Sequence, residues 1–502
     1  MSEGRLWGAR FSAQPEAETL AFMSGRDVLP TPPYDTVLIP YDLWGNRAHT
    51  FMLGERGIIP SEGRARILQA LDTLEEEHAA GRFALDPARE DVHSNIEAYV
   101  TELIGIEHAG HIHTGRSRND QVLTDMRMYL RDQAIACGLL CCRLAGSLLD
   151  RADGAADAVM PGFTHHQHAT PTTFGHLLEG WAEAQLRGAG RFLAFLSRWD
   201  RCPLGAAASY GTTLPIDRAL TASLLGFSGP EPNTVDATSS RWEAEADLAH
   251  ACASAMTHLS QVAQTLILLS TSEFGAIRLD DTYSAGSSIM PQKRNPQSLE
   301  AVKAHAVLVR QSVSSLMSLG GSNLFGYNTD QMWTKYIVID AAGACRASLA
   351  VARGVVETLT IDRERMAALC TTGFLGATAL VEALVRDAAL PFRIAKQVVE
   401  VAVAASEGAG HQNVTVEALA EALKGRLVAG SADLAALVAC QDAATAVART
   451  EHAGGPAPLR VREAAARARE VLDGLVRDLD GWSRSIRGAE TRCRERCRAA
   501  IV

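Results

Sequence analysis

Between about residues 117 and 366 the chain alternates long stretches of helical periodicity with short polar breaks. The stretches cover 120–150, 173–198, 240–272, 297–318 and 336–358, and several exceed the length of an average globular helix. Within 246–272, Leu248, Ala251, Ala255, Leu259, Val262, Leu266 and Leu269 make nearly every face apolar. Such a segment must be surrounded by other helices, which predicts the centre of a bundle and association between chains. Upstream, helical periodicity starts near Ala48 and continues through Ile67, Leu68, Leu71 and Leu74, whereas Pro30, Pro32 and Pro33 predict an irregular N-terminal segment. After Pro391 the predicted helices shorten, glycine returns, and Gly454-Gly455-Pro456 marks a loop. No strand-like alternation of useful length and no internal repeat stand out. The pattern predicts an all-α fold of three helical domains, 1–116, 117–366 and 367–502, with the middle one a long-helix bundle.

Composition narrows the class. The 502 residues are 47% hydrophobic but only 6% aromatic, the signature of an Ala/Leu/Val-rich helical protein. A net charge of −10 argues against a nucleic-acid binder. The arginines between Arg484 and Arg498 are interleaved with glutamates and predict a solvated final helix. Ten cysteines lie mostly in apolar helical patterns without paired spacing, so they predict buried thiols in a reducing cytoplasm. With no apolar signal core and no apolar run near membrane length, no membrane association is expected.

The most informative stretch is Gly286-Ser287-Ser288-Ile289-Met290-Pro291-Gln292-Lys293-Arg294-Asn295-Pro296. Its glycine-serine start suits a mobile loop, and Asn295-Pro296 predicts a helix N-cap followed by the first helical residue. A hydroxyl, two cations, an amide and a helix dipole together suit an anionic substrate; a polar surface turn is the alternative. Arg118 and Asn119 supply a second cation and amide suited to a carboxylate. His165, His166 and His168, and the pair His111 and His113, lack the carboxylate or cysteine partners of a zinc site, so no metal is expected.

The 286–296 stretch resembles the signature loop of the fumarase/aspartase superfamily, whose members cleave C–N or C–O bonds and release fumarate. Other segments resemble the argininosuccinate lyase family within it: Leu6–Phe11, Pro40-Tyr41-Asp42, Glu90-Asp91-Val92-His93, His113–Val122, Pro161–His165, Tyr327-Asn328 and Pro391-Phe392-Arg393. The resemblance implies a homotetramer with a twenty-helix core, active sites shared among three subunits, a cytoplasmic location and no cofactor. It implies a small dicarboxylate substrate, an N-substituted L-aspartate, and neither nucleic acid nor membrane as partner. Ser287 matches the family's catalytic base, and Lys293 and Asn295 match residues holding the reacting carboxylate. His165 matches the histidine that pairs with a glutamate, here Glu300. Ser117, Arg118, Asn119, Thr164, Tyr327, Lys335 and Arg241 match positions around the substrate.

The half of the pattern that recognises the amine departs from the family. Thr31-Pro32-Pro33-Tyr34-Asp35 stands where a Ser-Ile run leads to an aspartate that contacts the arginine part. Met332 replaces a glutamine, Ser239-Ser240-Arg241-Trp242 loses two carboxylates, and Gln297 replaces an aspartate. A guanidinium needs acceptors that methionine lacks. The reaction expected is elimination of an amine from argininosuccinate or a close analogue to give fumarate. The alternatives are another adduct such as a diaminodisuccinate, or a silent crystallin-like structural protein.

Overall fold

The computed structural model describes residues 16–24, 32–321, 323–425 and 433–501. Leu6–Phe11 and Thr31 lie outside the described residues. The chain opens with α1 (Ala17–Ser24), α2 (Ile39–Glu55), α3 (Ser61–Ala79), α4 (Val92–Ile104) and the single turn α5 (Ile106–Ala109). The bundle is built from α6 (Arg118–Gly154), α7 (Phe174–Arg198), α10 (Arg241–Leu269), α11 (Gln297–Gly320) and α12 (Thr334–Thr358), with short helices α8 (Arg218–Leu224) and α9 (Thr234–Ser239) between them. These five long helices match the five predicted stretches to within a few residues. Helices α10, α11 and α12 pack on one another, and α6 packs on both α7 and α12. As expected from its all-round apolarity, α10 buries Leu248, Cys252, Met256, Leu259, Val262 and Leu266 in the main core.

The rest is α13 (Arg363–Leu369), α14 (Ala377–Asp387), α15 (Phe392–Gly408), α16 (Val416–Ala422), α17 (Leu434–Ala439), α18 (Ala443–Arg449) and α19 (Pro458–Ala499). Leu380, Leu384, Val398, Leu419 and Leu437 form a small separate core among α14–α17. Helix α19, at 42 residues, reverses the predicted shortening and returns to the main core, packing on α6, α7 and α2. Its Arg-rich end is solvated on one face only. Ile486, Ala489, Cys493 and Cys497 are buried, while Arg494 donates to Glu75 (2.6 Å) and Glu490 (2.7 Å). All ten cysteines are free, buried thiols. By length and composition α6 could cross a membrane, contrary to the sequence reading, but 24 of its residues, from Asp120 to Ala152, are buried against other helices.

Three local expectations fail. Residues 17–24 form a helix despite the nearby prolines, because those prolines follow it rather than interrupt it. Helix α2 begins at Ile39, nine residues before Ala48, with Pro40 in its first turn where no N–H is needed. The third is a hairpin of β1 (Val159–Thr164) and β2 (Gln167–Thr173), accompanied by the two-residue strands β3 (Ile277–Arg278) and β4 (Thr360–Ile361). Pro161 opposite Pro171 and a register shift before Phe163 erase the alternation that would have announced it. At its tip, His165 (φ 52°) and His166 (φ 59°) both take left-handed backbone, the conformation of a tight two-residue hairpin turn.

Candidate active site

Helix α6 starts at a capping box. Ser117 accepts from the Asn119 N–H, and Asp120 Oδ1 accepts from the Ser117 N–H at 2.9 Å. The other Asp120 oxygen accepts from the N–H groups of Gly205 (2.8 Å) and Ala207 (2.7 Å), in a segment where Gly205 has φ +87°. This buried carboxylate pins the start of α6, and with it Ser117, Arg118 and Asn119. The preceding loop is held by His49, whose Nε2–H donates to the Thr114 carbonyl at 2.8 Å.

Burial, with the Arg116 charge beside it, pushes the His49 imidazole down from 6.5 to about 3. Above its ordinary value neither folded nor unfolded chain binds this proton; below it, only the unfolded chain does. Stability therefore falls as pH drops through 6.5 towards 3. His49→Gln should reduce the loss between about pH 7 and pH 5 by about 2 kcal/mol, measured as the wild-type minus variant difference in urea unfolding.

Arg118, Asn119, Arg241, Tyr327 and Lys335 line one cavity of about 250 Å³, together with Asp91, His93, Val122 and Met332. Arg118 reaches Glu90 (2.9 Å) and Asp91 (3.2 Å). Asp91 also caps α4 through the Ser94 N–H. Arg241, 2% exposed, lies 3.6 Å from Glu245, and none of its three nitrogens hydrogen-bonds a described residue. A buried guanidinium beside a cavity without such bonds is suited to an anionic ligand. The Tyr327 loop is fixed by backbone donors, Gly326 N–H to Ser239 Oγ (2.8 Å) and Tyr327 N–H to Ser209 Oγ (3.1 Å). Burial holds the Tyr327 phenol above its usual value, so it stays a donor.

A second cavity of about 260 Å³ shares Asp91, Met332 and Lys335 with the first. Its other walls include Tyr34, Tyr336, Asp35, Asp86 and Glu90. Asp35 forms a buried ion pair with Lys335, 300 residues away. Tyr34 meets Tyr336 edge to face at 4.9 Å.

Behind the cavities lies a polar network that sequence reasoning missed. His93 Nδ1 sits 2.9 Å from Asp42, which also accepts from Gln121 (2.6 Å) and Asn46 (2.8 Å). Asp125 lies 3.6 Å from His93. Burial and the Asp42 charge push the Asp125 carboxyl well above the usual range. Against the cost of its own burial, Asp42 is held below that range by His93 and Arg116. A proton on this pair is therefore favoured on Asp125 over Asp42. The Pro40–Asp42 and Glu90–His93 segments were the available signals, but nothing in them pairs Asp42 with His93 or announces Asp125 as their neighbour.

The remaining site residues lie on three other elements, the signature loop, helix α11 and the hairpin. Ala285 and Asn295 exchange backbone hydrogen bonds (3.0 and 2.7 Å) and close the signature loop. The Asn295 amide donates to the Gly286 carbonyl at 3.0 Å, so Asn295 is not the predicted cap. With its backbone and side chain committed to the loop, the helix starts later, at Gln297 after Pro296. Half-buried Ser287 accepts N–H bonds from Met290 (3.1 Å) and Ile289 (3.4 Å), with Lys293 exposed nearby in the same loop. Glu300 is exposed in the first turn of α11, and Thr164 and His165 are exposed on the hairpin. Within one protomer, no hydrogen bond or ion pair among the described residues joins His165 to Glu300, or Ser287 to the Arg118 cavity.

A lyase family model matches residues 45–310. The chain is 39% identical to an argininosuccinate lyase of Hahella chejuensis (strain KCTC 2396) over 472 residues, 93% of this chain and 97% of that protein. It is 38% identical to an argininosuccinate lyase of Symbiobacterium thermophilum over 468 residues, 93% of this chain and 98% of that one. An EDDS lyase crystallised with formate has a TM-score of 0.87 at 27% identity, covering 98% of this chain and 97% of its own. A variant of EDDS lyase with bound fumarate scores 0.86 at 27% identity, with the same coverage of both chains. The chain belongs to the fumarase/aspartase superfamily as an argininosuccinate lyase-like member, a carbon–nitrogen lyase that releases fumarate.

Proposed function

We propose that the substrate is an N-substituted L-aspartate whose departing amine carries a positive charge on an apolar stem, with argininosuccinate the nearest example. The observation carrying this reading is the pair of adjoining cavities, one rich in cations and the other acidic and aromatic. The succinyl carboxylates fit Arg118, Asn119, Arg241 and Tyr327. The amine fits beside Asp35, Asp86 and Glu90, its stem against Tyr34, Tyr336 and Met332.

Ser287 takes the proton from C3. Its two N–H donors, with Lys293 in the same loop, stabilise an alkoxide and so strengthen an otherwise feeble base. The electron pair left on C3 delocalises into the adjacent carboxylate, where Lys293 and Asn295 meet the developing charge. Collapse of this aci-carboxylate breaks the C–N bond, giving fumarate and the amine. His165, oriented by Glu300 across a subunit boundary, serves the proton transfers, with Thr164 and Ser117 on the substrate. This arrangement needs a homotetramer. Support comes from the lack, among the described residues of one protomer, of any hydrogen bond or ion pair joining the three groups, and from the exposed Val307, Leu308, Met317, Phe325 and Trp333. A cytoplasmic location follows from the same reading.

A diaminodisuccinate is the second reading, favoured by the likeness to EDDS lyase and by Met332 in the shared wall. Its distal half brings two more carboxylates towards Asp35, Asp86 and Glu90, which like-charge repulsion opposes. Incubating the protein with fumarate and a panel of amines tests the choice. Adduct formation with arginine or other ω-charged amines is expected. Adducts formed only with ethylenediamine-type partners carrying carboxylates would overturn the cationic reading. Restoring an acceptor by Met332→Gln should lower the KM for argininosuccinate by roughly five- to tenfold in a fumarate-release assay.

A further inference from the structure

Cys137 on α6, Cys252 on α10 and Cys345 on α12 meet inside the bundle. Each is 0% exposed, and their sulfurs all lie within 4.8 Å of one another. Three sulfurs from three different helices, separated by up to 208 residues in sequence, enclose one point. A thiolate–metal bond of about 2.3 Å sets sulfur–sulfur edges of about 4 Å, so the triangle is close to the size of a three-coordinate site.

Charge and coordination number decide what such a site holds. Zinc completes a tetrahedral shell with a fourth ligand. Among the described residues, no fourth histidine, cysteine or carboxylate atom joins the group. Three thiolates with a divalent ion would leave a net negative charge in the core, which burial disfavours. A trivalent, three-coordinate thiophile leaves none.

We propose that Cys137, Cys252 and Cys345 form a binding site for trivalent arsenic, taken up as arsenous acid. The exchange is As(OH)3 + 3 Cys–SH → As(S–Cys)3 + 3 H2O. Three As–O and three S–H bonds break, three As–S and three O–H bonds form, no electron is transferred, and the complex is neutral. Ligation would also tie together the helices whose first turns carry Arg118, Arg241 and Lys335.

The test incubates the intact enzyme with arsenite, desalts it, and reads arsenic per chain by elemental analysis and the thermal midpoint by calorimetry. One arsenic per chain and a raised midpoint are expected for the wild type. Cys252→Ala and Cys345→Ala, each checked for native oligomer and fumarate release, should lose at least a hundredfold in affinity and the midpoint shift. Two substituted positions keep the test open if one variant fails to fold. The adjacent buried thiols Cys493 and Cys497 are the natural competitor, so Cys493→Ala should bind as the wild type does. No retained arsenic in the wild type, or retention that follows Cys493 instead of Cys252 and Cys345, would overturn the proposal.

Discussion

Ser287→Ala should lower kcat for fumarate release by about a thousandfold or more while leaving the oligomer and its unfolding curve unchanged. The loss is large because the reaction has a poor carbon acid at its centre. In the proposed mechanism Lys293 and Asn295 stabilise charge only after a base has begun to remove the proton, so they cannot substitute for it. Structurally the change is small. Ser287 is half-buried, and its hydroxyl only accepts two long bonds, from Ile289 and Met290, within the loop. The loop's closure rests on Ala285 and Asn295, which the substitution leaves intact. Progress curves at saturating substrate, alongside sedimentation of both proteins, check both halves of the expectation. Near-normal turnover by the variant would remove Ser287 from the mechanism.

The second large effect is a gain. Ser287→Ala and Arg118→Ala should each be inactive as homo-oligomers, yet a mixture unfolded and reassembled together should recover activity. No hydrogen bond or ion pair joins Ser287 to Arg118 within one protomer among the described residues, and on the proposed shared-site reading each complete site borrows them from different chains. Random assembly of equal amounts then leaves about a quarter of the sites with both native side chains. Fumarate release rising from background to about that fraction of wild type is the expected readout. No recovery, with mixed oligomers demonstrated by mass spectrometry, would place both residues in a site made by a single chain.

What the sequence disclosed depended on how local the signal was. The long helices were legible because each repeats its apolar positions over five or more turns, and α10 announced its central place by having no polar face. The hairpin carrying Thr164 and His165 was not, since prolines sit opposite each other where alternation should run. The end of helix α19 read as a wholly solvated helix because its buried positions, Ile486, Ala489, Cys493 and Cys497, are widely spaced among arginines and glutamates. The site divided in the same way. Ser287, Lys293, Arg118 and Asn119 sit in runs dense enough to betray chemistry. The Asp35–Lys335 pair, the His93–Asp42 contact and the sulfur triangle join residues that nothing in the linear order connects. Asn295 shows the converse: a sound local rule predicted a cap, and a stronger commitment to the loop overrode it.

Met332 stands in the wall common to the two cavities, on the short 3-10 turn Thr329–Trp333, with the elimination chemistry assigned to one side and recognition of the nitrogen donor to the other. Asp86 lines the acidic side alone, whereas Asp35 and Glu90 there pair with Lys335 and Arg118 of the other cavity. The partition offers a handle for redesign. Run in the addition direction, such a scaffold would be a route to unnatural N-substituted amino acids by remodelling only the lining of the second chamber.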